Sequence, residues 1–224
     1  MFSTSNILDT LRLDKTGFFL KEIHAERTFE TYQALNVQTE LPFILKRYDR
    51  IEAELLKSFS TSQRVRIIFD RKDFTYQIQS ENLGLALRTP IQLQVVKNAK
   101  QEPGLGLMNY KWADRRYWDQ LLARKLPNAD DIIAVNKNNY VTETSRFNIF
   151  TYSEVDDVVY TPSLDSGCIN GVYRRHILKK GNIDLPTLGP KQVFEKDITA
   201  ENILNANIFV GNSVRGLLTA ELFF

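Results

Sequence analysis

The sequence predicts a mixed fold, α+β / α/β, in two domains: a small N-terminal α+β domain over residues 1–92 and a larger C-terminal domain over residues 93–224. Three observations predict it. Strand-like and helix-like patterns alternate through the first ninety residues. The stretch Gln101-Glu102-Pro103-Gly104-Leu105-Gly106 brings a proline and two glycines close together and punctuates the chain. The 224 residues, 43% hydrophobic and 25% charged, are enough for a sizeable core and match ordinary globular composition.

In order along the chain, residues 8–13 and 17–20 suggest a short hairpin. Residues 21–36 are rich in helix formers, with Ile23, Phe29, Tyr32 and Leu35 available for one apolar side. Tyr48, Ile51, Leu55 and Phe59 recur at helical spacing and predict a second helix over 45–59. Strands are expected at 64–70 and 74–79, separated by a charged turn. Beyond the Pro and Gly stretch, helices are expected at 112–126, 171–180 and 197–205, and strands at 132–135, 149–151 and 207–210.

Composition excludes several classes. The 29 basic and 27 acidic residues leave a net charge of +2, without the basic stripe that a nucleic-acid backbone calls for. The densest basic run, residues 174–180, falls near the end of an expected helix, where cations favour the dipole, and reads as a solvated helix end. Cys168 is the only cysteine, which excludes an intramolecular disulfide and fits a reducing compartment, so a cytoplasmic location is expected. No basic and apolar leader follows Met1, and no run approaches the roughly 18 apolar residues of a membrane span. His24 and His176 are the only histidines. Neither lies in a cluster with metal-ligand spacing or beside a hydrolase nucleophile motif, so no metal site is expected. Gly104-Leu105-Gly106 lacks the third glycine of a dinucleotide fingerprint.

Four segments carry the chemistry. The first is Asn109-Tyr110-Lys111-Trp112-Ala113-Asp114-Arg115, where Lys111 has Leu107 and Met108 before it and Trp112 after it. The second is Val141-Thr142-Glu143-Thr144-Ser145-Arg146-Phe147-Asn148, where Glu143 follows a strand-like stretch. The third runs from Leu164 to Arg174, where Asn170-Gly171-Val172-Tyr173 opens an expected helix whose free N–H groups and dipole suit an anion. The fourth is Gly211-Asn212-Ser213-Val214-Arg215-Gly216. Their order and spacing resemble the fold type IV enzymes that use pyridoxal 5'-phosphate (PLP), the class IV aminotransferase family, which also contains the 4-amino-4-deoxychorismate lyases.

The resemblance covers the chain from about Asp9 to Leu218. It implies a two-domain fold like that of D-amino acid aminotransferase, with PLP as cofactor and a homodimer as the assembly. Lys111 would be the catalytic lysine that forms a Schiff base with PLP, which requires a neutral amine and hence burial beside the cofactor. Glu143 would pair with the pyridine nitrogen and keep it protonated, and Asn148 matches five residues later. Val172, Tyr173, Asn212 and Ser213 would grip the phosphate, joined by Arg27 from the first domain. Tyr173 stands where the family has a threonine hydroxyl and leaves a backbone donor there. Arg146 and Phe147 stand where many members have small residues, and the strand most members place before Thr10 is expected to be absent.

The last turn is most similar to the lyase branch. That branch converts 4-amino-4-deoxychorismate to 4-aminobenzoate and pyruvate, a step in folate precursor synthesis. Arg12 and Arg215 are the candidates for the two substrate carboxylates, because a guanidinium binds carboxylate through two donors. Thr10 matches a threonine near the substrate. For Arg12 a cross-strand ion pair is the competing expectation. The alternatives are an aminotransferase acting on branched-chain or D-amino acids, and a protein that kept the PLP fold and lost turnover.

Overall fold

The computed structural model describes residues 5–97 and 109–224. The stretch 101–106 and the apolar Leu107 and Met108 lie outside the described residues. The chain divides into two compact units, Met1–Ala86 with Tyr110–Asp114, and Leu87–Asn109 with Arg115–Phe224.

In the first unit, β1 (Ile7–Asp14) and β2 (Gly17–Phe18) form the expected hairpin, with Leu13 opposite Phe18. Two helices follow, α1 (Lys21–Ala34) and α2 (Leu41–Leu56). Then come β3 (Gln63–Phe69) and β4 (Tyr76–Asn82), and the antiparallel sheet has the order β2-β1-β3-β4. Strand alternation puts Ile7, Asp9, Leu11 and Leu13 on one face of β1, all buried, and leaves Thr10, Arg12 and Asp14 half-buried on the other. Leu11, Leu13, Val65, Ile67 and Phe69 of the sheet and Tyr32, Ile44, Tyr48 and Ile51 of the helices are among its buried apolar side chains.

The helix over 21–36 is present, but its buried side differs from the apolar side expected. His24, Ala25, Arg27, Thr28, Thr31 and Tyr32 are buried, whereas Ile23, Phe29 and Leu35 are half-buried. The physical reason is a polar network, described below, that satisfies His24, Arg27 and Thr28 inside the unit. α2 starts earlier than expected, at Leu41, with Pro42 in its first turn, where a missing N–H costs nothing.

Segment 111–113 is not helical. Leu8 N–H donates to the Lys111 carbonyl at 2.9 Å and Ala113 N–H to the Asn6 carbonyl at 2.8 Å, and Ile7 faces Trp112 in an antiparallel bridge. Trp112 is buried by this pairing.

The second unit holds β5 (Ile91–Lys97), α3 (Arg116–Leu122), β6 (Asp131–Val135), β7 (Val141–Thr144), β8 (Asn148–Ser153) and β9 (Val158–Pro162). The expected helix over 112–126 therefore shortens to α3, because Trp112 is held in the bridge. A 3-10 turn (Leu164–Ser166) precedes α4 (Val172–Lys180), followed by β10 (Asn182–Leu185), β11 (Gly189–Lys196), α5 (Ala200–Ile203), β12 (Asn207–Asn212) and β13 (Gly216–Leu222). Among the described residues the strands form one nine-stranded sheet, in the order β10-β11-β9-β8-β12-β13-β5-β6-β7. It is mixed: β11 with β9, β13 with β5 and β5 with β6 run parallel. α4 packs on β10, β11 and β12, and α3 on β6. One buried cluster gathers Leu93, Ile133, Val135, Val141, Ile149, Ile203 and Val210; another, under α4, gathers Phe150, Val159, Ile177, Ile183 and Phe209. No described helix is long and apolar enough to cross a membrane.

Candidate active site

In the first unit a buried carboxylate, Asp9, organises the polar residues. Both its oxygens lie 2.9 Å from His24 Nδ1, it accepts from an Arg27 Nη2 donor, and Tyr48 OH donates to it at 2.5 Å. The Thr10 N–H adds a bond of 2.9 Å, and Thr28 shares a bond of 2.7 Å with Tyr48 OH. Asp9, His24 and Tyr48 are completely inaccessible, and Arg27 is 5% exposed. An ionised carboxylate belongs in such a place only because a guanidinium and further donors surround it. Asp9 was not among the residues singled out from the sequence. The signal that could have found it is the alternation of β1, which puts an aspartate on the same face as Ile7, Leu11 and Leu13.

The network makes stability depend on pH. Burial works against ionisation of Asp9, but His24, Arg27 and the hydrogen bonds outweigh it and hold the carboxyl well below the usual range. Burial, with Arg27 and Lys111 adding to it and Asp9 opposing, lowers the His24 pKa below 6.5. The folded chain therefore binds fewer protons than the unfolded one as pH falls below the ordinary histidine range, and again below the ordinary carboxylate range. Stability contributed by both groups is present above those ranges and lost on acidification. The urea midpoint is expected to fall between pH 7.5 and 5.5, and to fall less in His24→Asn. An equal drop in both proteins would contradict this.

Of the other candidates in this unit, Arg27 is held by Asp9, while Thr10 and Arg12 sit on the opposite face of β1. Arg12 Nε donates to Asp14 Oδ2 at 2.8 Å and its guanidinium lies 4.3 Å from the centre of the Phe19 ring. The pair runs along the strand rather than across it. Lys111 also belongs to this unit, its backbone fixed by Leu8 and its charge near enough to lower the proton affinity of His24.

The second unit brings together the candidates from three segments. Glu143, on β7, is 8% exposed, and its Oε1 accepts from the Ile169 N–H at 3.1 Å. Asn148, at the start of β8, donates from Nδ2 to the Ile169 carbonyl at 3.0 Å. The two side chains thus clip the backbone just before α4. Gly171 is the N-cap of α4 and offers no side-chain cap. A Cβ there would lie 2.0 Å from Asn148 Oδ1, so a larger residue would push aside the side chain that holds the Ile169 carbonyl. Gly171→Ala is expected to cost about 1–3 kcal/mol and to weaken PLP binding, read as a lower urea midpoint and a higher dissociation constant in a fluorescence titration.

Gly211 pairs with Asn148 across β12 and β8, which sets the last turn beside the same loop. Asn212 shapes that turn: its Oδ1 accepts from the N–H groups of Val214 at 3.0 Å and Arg215 at 2.8 Å, and its Nδ2 donates to the Arg146 carbonyl at 3.1 Å. Gly216 then takes a φ of 72°, a left-handed conformation that favours glycine. Ser213 is buried within this turn. The Tyr173 ring packs edge-on against Phe150, and a Cβ on Gly211 would meet it at 2.7 Å. The Arg146 guanidinium is tied to Asp131 Oδ2 at 3.2 Å and Phe147 is in the core.

The run 174–180 is not uniformly solvated, contrary to the sequence expectation. Arg174 is 1% exposed; it donates to the Pro162 carbonyl at 2.8 Å and pairs with Glu195, while Lys179 and Lys180 are exposed. Its position three residues before buried Ile177 puts it on the inward side of α4. Cys168 is buried, which pushes its thiol up to about 12 and leaves it unreactive.

The sequence matches the family model for amino-transferase class IV over residues 6–222. The chain belongs to the class IV aminotransferase family. No curated protein sequence matches the chain. Among solved structures, an amino-acid aminotransferase assignment from Mesorhizobium loti is 22% identical, with a TM-score of 0.81 over 97% of this chain and 99% of that one. A Legionella pneumophila protein assigned as a 4-amino-4-deoxychorismate lyase is 18% identical, with a TM-score of 0.75 over 99% of this chain and 84% of that one. The branched-chain amino acid aminotransferase of Escherichia coli is 15% identical, with a TM-score of 0.75 over 98% of this chain and 77% of that one. These likenesses establish the fold type IV architecture.

Family members are PLP-dependent aminotransferases or lyases, and the second unit has groups of the right chemistry for PLP. α4 opens with backbone donors and no side-chain cap, which suits a phosphate. Glu143 supplies a buried carboxylate of the kind that pairs with a protonated ring nitrogen.

Proposed function

We propose that this class IV enzyme is a lyase that converts 4-amino-4-deoxychorismate to 4-aminobenzoate and pyruvate. The observation that carries the reading is the turn Asn212-Ser213-Val214-Arg215-Gly216. Its sequence resembles the lyase branch, and the Asn212 side chain fixes the Arg215 backbone at 2.8 Å, so a guanidinium is presented from a defined turn. A substrate with two carboxylates calls for such cations, and Arg12 on β1 is the second candidate. The Legionella pneumophila protein of that assignment has the same fold, as do the aminotransferases, so the reading is carried by the turn rather than by the fold.

Bound PLP supplies an aldehyde for the substrate amine and a protonated ring that accepts electrons. In this reading Lys111 Nζ would hold the cofactor, and its free amine would take the proton from the carbon that bears the substrate amine. Glu143 keeps the ring nitrogen protonated. The N–H groups of Val172 and Tyr173 and the Asn212 and Ser213 turn would hold the phosphate, Asn148 would hold the loop that presents it, and the resemblance adds Arg27 as a further cation. Thr10 assists proton transfer at the substrate.

The test is product analysis with PLP-loaded protein and 4-amino-4-deoxychorismate, with no 2-oxo acid present. Pyruvate and 4-aminobenzoate in equal amounts are expected. Turnover of branched-chain or D-amino acids only when a 2-oxo acid is added, with no pyruvate from 4-amino-4-deoxychorismate, would replace the lyase reading with an aminotransferase. Bound PLP without either reaction would favour a protein that has lost turnover.

A further inference from the structure

By the family resemblance, the N–H groups of Val172 and Tyr173 at the opening of α4 receive the PLP phosphate, a strongly negative ester. Backbone donors and the helix dipole supply only about half a positive charge there. Tyr173 brings an aromatic ring where a threonine would bring a small hydroxyl, and that ring packs edge-on against Phe150, on the apolar cluster under α4. Several arginines are held by carboxylates: Arg174 of the same turn by Glu195, Arg146 by Asp131 and, in the first unit, Arg27 by Asp9.

Arg175 reaches the opening of α4 itself. Its N–H closes the first turn on the Gly171 carbonyl at 2.9 Å, and its half-buried side chain runs back past the start of the helix, where Nε donates to the Asn170 carbonyl at 3.2 Å. With the Asn170 amide turned so that its oxygen faces the guanidinium, Oδ1 also accepts from Arg175 Nε at 3.2 Å and Nη2 at 3.1 Å. Asn170 immediately precedes Gly171, the N-cap, so a guanidinium is held on the residue next to the two N–H groups. The Asn170 oxygens are neutral acceptors, which orient the fork of donors without cancelling its charge.

We propose that Arg175 is the cation of the phosphate subsite: from its place on Asn170, its guanidinium pairs with a phosphate held on the N–H groups of Val172 and Tyr173. The inference rests on the placement of the PLP phosphate at α4 and is independent of the lyase reading. It adds to the backbone donors the charge that they lack, and it makes Arg175 the residue that distinguishes PLP from pyridoxal, the same ring without its phosphate.

The test is the affinity of the full chain for PLP and for pyridoxal, each read from quenching of the intrinsic tryptophan fluorescence. Wild type is expected to prefer PLP. In Arg175→Met that preference is expected to fall about tenfold to a hundredfold, with pyridoxal bound as in wild type. Arg175→Lys should restore part of the preference, because the charge returns without the planar fork. Both ligands are compared on the same protein, so a change in stability does not enter the ratio. An undiminished preference in Arg175→Met, or an equal weakening of both ligands, as loss of a purely structural clamp on Asn170 would give, would overturn the proposal. Equal affinity of wild type for PLP and pyridoxal would overturn the phosphate subsite at α4 and the proposal with it.

Discussion

Lys111→Ala is expected to lower product formation at least about 10³-fold while leaving the fold in place. The side chain would act at the reacting carbon and hold the cofactor, so its loss removes two functions. Its contribution to folding is smaller, because the contacts that fix segment 111–113 to β1 are made by the backbone: Leu8 N–H to the Lys111 carbonyl, and Ala113 N–H to the Asn6 carbonyl. Circular dichroism and the urea midpoint should stay near wild type. Activity within about tenfold of wild type, measured as pyruvate release under saturating PLP, would place the chemistry on another residue.

Asp9→Ala is expected to cause the largest loss of stability, about 3–5 kcal/mol. The carboxylate is completely buried and holds His24, Arg27 and Tyr48 at once. Without it, Arg27 keeps a full charge in a site that is 5% exposed, and Tyr48 loses an acceptor. Asp9→Asn should be milder in volume but still costly, because an amide cannot neutralise the guanidinium. The measurement is the urea midpoint of each variant at pH 7.5. A change below about 1 kcal/mol for Asp9→Ala would show that the network contributes little.

The two predictions bear on different parts of what the sequence made legible. Lys111, Glu143 and Gly171 stand out because order and spacing along the chain carry family information that survives at low identity. Asp9 and Arg174 did not stand out, because each looks solvated by residue type. Their burial follows from pairing with Arg27 and Glu195, partners 18 and 21 residues away. The same cause explains α1, where apolar periodicity pointed to Ile23, Phe29 and Leu35 while a satisfied polar network took the inward side.

Strands were harder to read than helices. β5, β9, β10, β11 and β13 were not expected, although they occupy much of the large sheet. β11 is mostly exposed along its length and begins with Gly189 and Pro190, so it lacks an alternating pattern; it is held by pairing to β9 and β10. β13 carries Gly216, Leu217 and Leu218 in succession and is completed by antiparallel β12 on one side and parallel β5 on the other. Such strands are set by partners distant in sequence, which local propensity does not record.

The turn that carries Arg215 was legible as a motif but not as a structure. The sequence suggested that Asn212 grips phosphate. The structure gives its side chain oxygen to the N–H groups of Val214 and Arg215, so its established part is to shape the turn.

The central claim is that this class IV enzyme holds PLP on Lys111. Borohydride reduction of the PLP-loaded protein, followed by digestion and mass analysis of the peptides, tests it most directly. The account predicts one phosphopyridoxyl group, on the peptide that contains Lys111, and none in Lys111→Ala. The same group on a different lysine, or no labelled peptide from protein saturated with PLP, would contradict it.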